Sequence, residues 1–89
     1  MQRYGKTYQQ GDHVFDQGDE VRNLYFMIDG QVQLMQQSKV IRTIEAGDYF
    51  GELALLTNMP TIADAVVTSE QANVVLIYPD NIETLLLDE

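Results

Sequence analysis

Short runs of alternating apolar and polar residues, punctuated by glycine next to aspartate, extend along most of the chain. Val32 and Leu34 alternate with Gln31 and Gln33, the period of a strand with one buried and one wet face. Residues 23–28 are apolar at nearly every position and read as a strand covered on both faces. Further strands are expected over 6–9, 13–16, 40–44, 61–68 and 73–78, where β-branched and aromatic residues collect. Turns separate them at Gln10-Gly11-Asp12, Gln17-Gly18-Asp19, Ala46-Gly47-Asp48 and Ser69-Glu70-Gln71. Asp29-Gly30 is the strongest hairpin signal and Ser38-Lys39 a weaker turn. Eight or so closely spaced strands predict an all-β barrel or sandwich.

One segment breaks the strand period. Residues 51–57, Gly-Glu-Leu-Ala-Leu-Leu-Thr, are rich in helix formers and long enough for about one and a half turns at roughly 3.6 residues each. Asn58-Met59-Pro60 ends it. Pro79-Asp80 opens a terminal helix over 81–87, with Ile82, Leu85 and Leu86 on one face suited to core packing. The 89 residues carry no repeat or linker and are expected to form one domain, 1–89.

Composition narrows the function. At 45% hydrophobic residues the chain can build a core, and without cysteine it has neither a disulfide framework nor a thiolate metal site. No apolar run spans a bilayer and none of the signal-peptide kind opens the chain, so a soluble, cytoplasmic protein without membrane contact is expected. The net charge of −9 is unevenly placed. Residues 1–42 hold all five cations (Arg3, Lys6, Arg22, Lys39, Arg42) against five acids, whereas 43–89 hold nine acids and no cation. Such a surface should repel nucleic acid, whose binding requires clustered cations.

The candidate chemistry lies in Tyr49-Phe50-Gly51-Glu52-Leu53-Ala54-Leu55-Leu56, followed by Pro60 and Ala63. Gly51 permits a backbone conformation other residues resist, and the helix starting there presents unpaired N–H groups suited to an anion. Glu52 can accept a hydrogen bond from a sugar hydroxyl, so the segment suits a ribose and a phosphate held together. This stretch resembles the phosphate-binding cassette of the cyclic-nucleotide-binding domain family. Val14-Phe15-Asp16-Gln17-Gly18-Asp19 with Leu24-Tyr25-Phe26-Met27-Ile28-Asp29-Gly30 resembles its other signature, and 74–80 its last strand and following helix. Two ordered signatures at compatible spacing are far more specific than a lone glycine motif.

The resemblance implies a mainly β jelly-roll barrel with a short internal helix and a C-terminal helix, serving as a regulatory ligand-sensing module rather than an enzyme. It implies that Glu52 binds the ribose 2′-hydroxyl and that amides near Leu53, Ala54 and Ala63 meet the cyclic phosphate. The ligand-binding set it predicts is Phe50, Gly51, Glu52, Leu53, Ala54, Thr61, Ile62 and Ala63, with cyclic AMP or cyclic GMP as the ligand and no cofactor. The family's cassette carries an arginine directly after Pro60 to pair with the phosphate; here that residue is Thr61, and the usually small next residue is Ile62. Binding is therefore expected to be weak or atypical, unless Arg22 or Arg42 approaches from elsewhere in the fold.

Other readings stay open at this level. Glu52 equally suits the role of a first-turn acid stabilising its own helix. Strand alternation puts Thr61 and Ala63 on one face and Ile62 and Asp64 on the other, so Asp64 should point away from a ligand. His13 is the only histidine and is expected on a surface strand, leaving no metal site and disfavouring a metal-dependent cupin enzyme. Ser38, Ser69 and the carboxylates show no catalytic arrangement. The competing function is a ligand-free interaction or dimerisation scaffold. In either case an effector domain of a longer chain, or a homodimer partner, is the expected protein contact, and the chain reads as a sensor domain excised from a larger regulatory protein.

Overall fold

The structure, a computed structural model, describes residues 2–78. The expected helix over 81–87 lies outside the described residues. Eight strands form: β1 (Gln2–Gln9), β2 (His13–Phe15), β3 (Leu24–Asp29), β4 (Gln31–Gln36), β5 (Lys39–Glu45), β6 (Tyr49–Phe50), β7 (Asp64–Val67) and β8 (Gln71–Tyr78). Among the described residues one helix, α1 (Glu52–Thr57), interrupts them where the strand period breaks. The strands form two four-stranded antiparallel sheets, ordered β1-β8-β3-β6 and β2-β7-β4-β5, the jelly-roll architecture expected from the sequence.

The alternating positions supply the core between the sheets. Met27, Val32, Ile44, Phe50, Val67 and Val74 are fully buried there, with Ala65 and Ala72 filling the narrower gaps. Phe15, Tyr25 and Phe50 form an aromatic cluster, with the Tyr25 and Phe50 rings stacked at 5.0 Å between centroids. Burial raises the Tyr25 phenol above its usual pKa, so the ring stays neutral within this cluster.

The two turn signals exchange roles. Asp29-Gly30 does not close a hairpin, because β3 pairs with β6 and β8 whereas β4 pairs with β5 and β7. Gly30, at φ 93°, instead carries the chain around a corner from one sheet to the other. A Cβ there would lie 2.5 Å from the Gln71 carbonyl oxygen, so close approach of β8 requires glycine. The tight hairpin is the weaker signal: β4 and β5 meet with Gln36 opposite Lys39, across Gln37 and Ser38, both in the left-handed region.

Bulges account for the other departures. Residue 28 has no partner where Met27 and Asp29 face Val74 and Asn73, and Ile28 is consequently exposed rather than covered. Residues 61–63 do not join β7 as expected. Pro60 has no N–H, and Thr61 pairs instead with the β2–β3 loop: its N–H donates to Asp19 O and its carbonyl accepts from Gly18 N.

Substitutions at the two turns should have opposite signs. Gly30→Ala, which meets both a forbidden φ and the β8 backbone, should lose at least about 2 kcal/mol in urea unfolding. Ser38→Gly, which relieves a left-handed residue, should gain about 1 kcal/mol.

Candidate ligand-binding site

Phe50 is fully buried, and the chain leaves it through Gly51 at φ 82°. A Cβ at Gly51 would lie 2.8 Å from the Tyr25 ring, so the turn that starts α1 is both strained for other residues and sterically closed to them. The helix runs for six residues and ends at Asn58, also left-handed, whose N–H donates to Ala54 O. At this length few peptide dipoles align, so the helix end is a weaker anion site than its sequence suggests.

A cavity of about 450 Å³ opens between α1, the segment 59–63 and the outer part of the β4–β5 hairpin. It contains Gly51, Glu52, Leu53, Ala54, Thr61, Ile62 and Ala63 from the predicted set. Phe50 is the exception: it does not line the cavity but sits fully buried in the aromatic cluster. The remaining walls are mostly apolar, from Phe15, Leu34, Ile41, Met59 and Pro60.

The lining residue that sequence reasoning left unplaced is Arg42. A bulge in β5 leaves Ile41 without a partner between Val40 and Arg42, which face Met35 and Leu34. Ile41 and Arg42, neighbours that a regular strand would send to opposite faces, therefore both line the cavity. The Arg42 guanidinium donates from Nη1 to Glu52 Oε1 at 3.0 Å and from Nη2 to the Tyr49 carbonyl at 2.9 Å. Glu52 Oε2 is buried and has no hydrogen-bond partner among the described residues. Arg22 does not line this cavity and pairs with Glu20 at 3.3 Å on the exposed surface.

Thr61 is buried, and its hydroxyl donates to the Asp16 carbonyl at 2.7 Å. Ile62 is exposed, and Ala63 is buried again. Asp64 does not line the cavity; its Oδ1 accepts from Gln17 N at 2.7 Å. His13 is exposed and bonds Asp16 at 2.6 Å. The fold also brings Asp64 to this pair, with ligand-capable atoms of the three residues within 4.8 Å of one another, a grouping invisible when the histidine is considered alone.

The family model of the cyclic nucleotide-binding domain matches residues 5–89. The chain belongs to that family. A cGMP-dependent protein kinase, isozyme 1, of Drosophila melanogaster is 39% identical over 71 residues, covering 80% of this chain and 9% of that protein. The chain thus spans a small part of the curated relatives it matches, and their kinase activity does not come with the match. Among solved structures, Sp-2Cl-cAMPS bound to PKAR CBD2 has a TM-score of 0.86 at 34% identity, over 97% of this chain and 58% of that one. The fold is also that of the regulatory subunit of a cAMP-independent protein kinase A from Trypanosoma cruzi bound to guanosine, at a TM-score of 0.86 and 19% identity over 93% of this chain and 30% of that one. In a Trypanosoma brucei counterpart (TM-score 0.79, 21% identity, 84% of this chain and 28% of that one), a variant is bound to cAMP in the A site. That variant replaces a threonine by arginine, the following valine by alanine, and a glutamate by alanine.

The Thr61 hydroxyl ties the cavity wall to the β2–β3 loop. Thr61→Val keeps the shape and removes this hydrogen bond, so thermal or urea unfolding should register a loss of about 1 kcal/mol. Ile62→Ala, at an exposed neighbour, should stay within about 0.5 kcal/mol of the parent.

Proposed function

We propose that this chain is a regulatory, non-catalytic ligand-sensing domain that binds a cyclic nucleotide atypically, holding the ribose at Glu52 and the cyclic phosphate weakly. The observation that carries this reading is the state of the cavity's cations. Of the five in the chain, Arg42 alone lines it, and both of its terminal nitrogens are engaged by Glu52 and Tyr49. At the position where the family's cassette carries arginine stands Thr61, whose hydroxyl is committed to Asp16.

Magnitudes indicate the consequence. Removing a buried, hydrogen-bonded charge partner costs on the order of 2–5 kcal/mol, and about 1.4 kcal/mol is tenfold in affinity. A cyclic nucleotide should therefore bind tens to thousands of times more weakly than to a cassette with its arginine, by this order-of-magnitude conversion. The same fold holds a cAMP analogue in one relative and guanosine in another, so its pocket tolerates a change of ligand. In the cell the domain would control an effector elsewhere in a longer cytoplasmic chain, or a homodimer partner, without touching nucleic acid or membrane.

A second reading has a specific observation in its favour. Leu53, Met59 and Ile62 are more than half exposed at the cavity rim, an apolar surface suited to a docking scaffold that uses no ligand.

Thr61→Arg combined with Ile62→Ala separates the two. A new charge-assisted hydrogen bond is worth about 1.5–3 kcal/mol, so calorimetry should find cyclic AMP or cyclic GMP bound at least about tenfold more tightly. Adding Glu52→Ala should reverse the gain, whereas Asp64→Ala should leave it in place. No gain in a folded double variant would leave the scaffold reading standing.

A further inference from the structure

We propose that His13, Asp16 and Asp64 form a binding site for a divalent transition-metal ion of the zinc type, separate from the cavity beside α1. A lone histidine gave the sequence no reason to expect one. The fold supplies the two carboxylates that the histidine lacks.

Ligand-capable atoms of the three residues lie within 4.8 Å of one another, and His13 Nδ1 is 2.6 Å from Asp16 Oδ1. Residues three apart on a regular strand point to opposite faces. Here β2 pairs with β7 through a bulge: His13 faces Val66, Phe15 faces Ala65, and residue 14 has no partner. The extra residue brings His13 and Asp16 to the same side, beside Asp64 at the start of β7. Both aspartates are also held by neighbouring residues. Asp64 Oδ1 accepts from Gln17 N at 2.7 Å, and the Asp16 N–H donates to Asp19 Oδ2 at 2.9 Å. The Asp16 carbonyl accepts from the Thr61 hydroxyl at 2.7 Å, which joins the site to the cavity wall. Outer hydrogen bonds of this kind orient metal ligands and raise affinity.

The donor set selects the ion. An imidazole nitrogen with two carboxylates suits zinc and its first-row neighbours, whereas calcium and magnesium take oxygen ligands. A tetrahedral ion with bonds of about 2.0–2.2 Å holds its donor atoms roughly 3.3–3.6 Å apart. The present separations, from 2.6 Å to at most 4.8 Å, bracket that value, and side-chain rotation suffices to reach it. The ion takes the place of the proton in the His13–Asp16 hydrogen bond. The neutral imidazole then carries its proton on Nε2, and water completes the coordination shell. Charge agrees with this assignment. Among the described residues no lysine or arginine pairs with Asp16 or Asp64, so the two carboxylates match a divalent ion.

The test titrates the untagged chain with zinc chloride by calorimetry, with calcium and magnesium chlorides as comparators, and with paramagnetic cobalt(II) by NMR. One zinc ion should bind per chain, at least about tenfold more tightly than calcium. Cobalt should broaden the signals of residues 13–17 and 64 before any others. His13→Gln and Asp64→Asn, checked for folding by circular dichroism, should each weaken zinc by at least about tenfold. Glu70→Gln, at an exposed acid elsewhere, should leave zinc affinity unchanged. If a ligand variant does not fold, the cobalt broadening on the parent chain decides alone. Calcium binding as tightly as zinc, broadening spread over the acidic surface, or zinc affinity untouched in folded His13→Gln would each overturn the site. So would the absence of saturable zinc binding below about 1 mM.

Discussion

Phe50 is held in the core against Tyr25, and the chain must turn away from it within a single residue. Gly51 accomplishes the turn with a left-handed backbone and no side chain, because the Tyr25 ring occupies the space a Cβ would need. The position of Glu52 in the cavity wall follows from this corner. It starts α1 at Glu52, and the bulge in β5 brings Arg42 to meet that carboxylate. The helix then returns the chain through Asn58 and Pro60 to Thr61, which is fastened to the β2–β3 loop by its N–H, its carbonyl and its hydroxyl. The aromatic core, the glycine corner and the Thr61 clasp thus define one wall.

That wall gathers seven of the eight residues that the family resemblance assigns to ligand binding. The family's cassette would place a cation after Pro60, whereas here a small hydroxyl residue is turned into a structural tie. The cation that lines the cavity, Arg42, is paired with Glu52. On the proposed reading a cyclic phosphate meets no arginine at the cassette position and is held weakly. Fold membership does not by itself fix ligand preference.

Much of this was legible in the sequence, for identifiable reasons. The period-two patterns located the strands, and loss of the period at 51–57 located the helix, because each depends on neighbours close in sequence. The cassette segment likewise gathered most of the cavity's inner wall. Three features were not legible. Asp29-Gly30 looked like a hairpin because its local chemistry suits one, but whether β3 and β4 pair is decided by β8, which approaches too closely for any residue but glycine. Phe50 sits in the motif yet faces the core, since adjacent residues on a strand point in opposite directions. Arg42 reached the site through a one-residue bulge that shifts it relative to the strand pattern, and no local signal marks such an insertion.

On the proposed reading, the one cation lining the cavity, Arg42, is already paired with Glu52 and lends a cyclic phosphate little. The dependence of cyclic AMP affinity on salt, measured on the unaltered chain, tests this most directly. An ion pair loses strength as salt screens it, whereas an anion entering a cavity whose one cation is already paired, on a chain of net charge −9, experiences repulsion that salt relieves. Affinity should stay level or rise slightly from low to high salt. A steep fall in affinity with added salt would reveal a phosphate-binding cation and contradict the account.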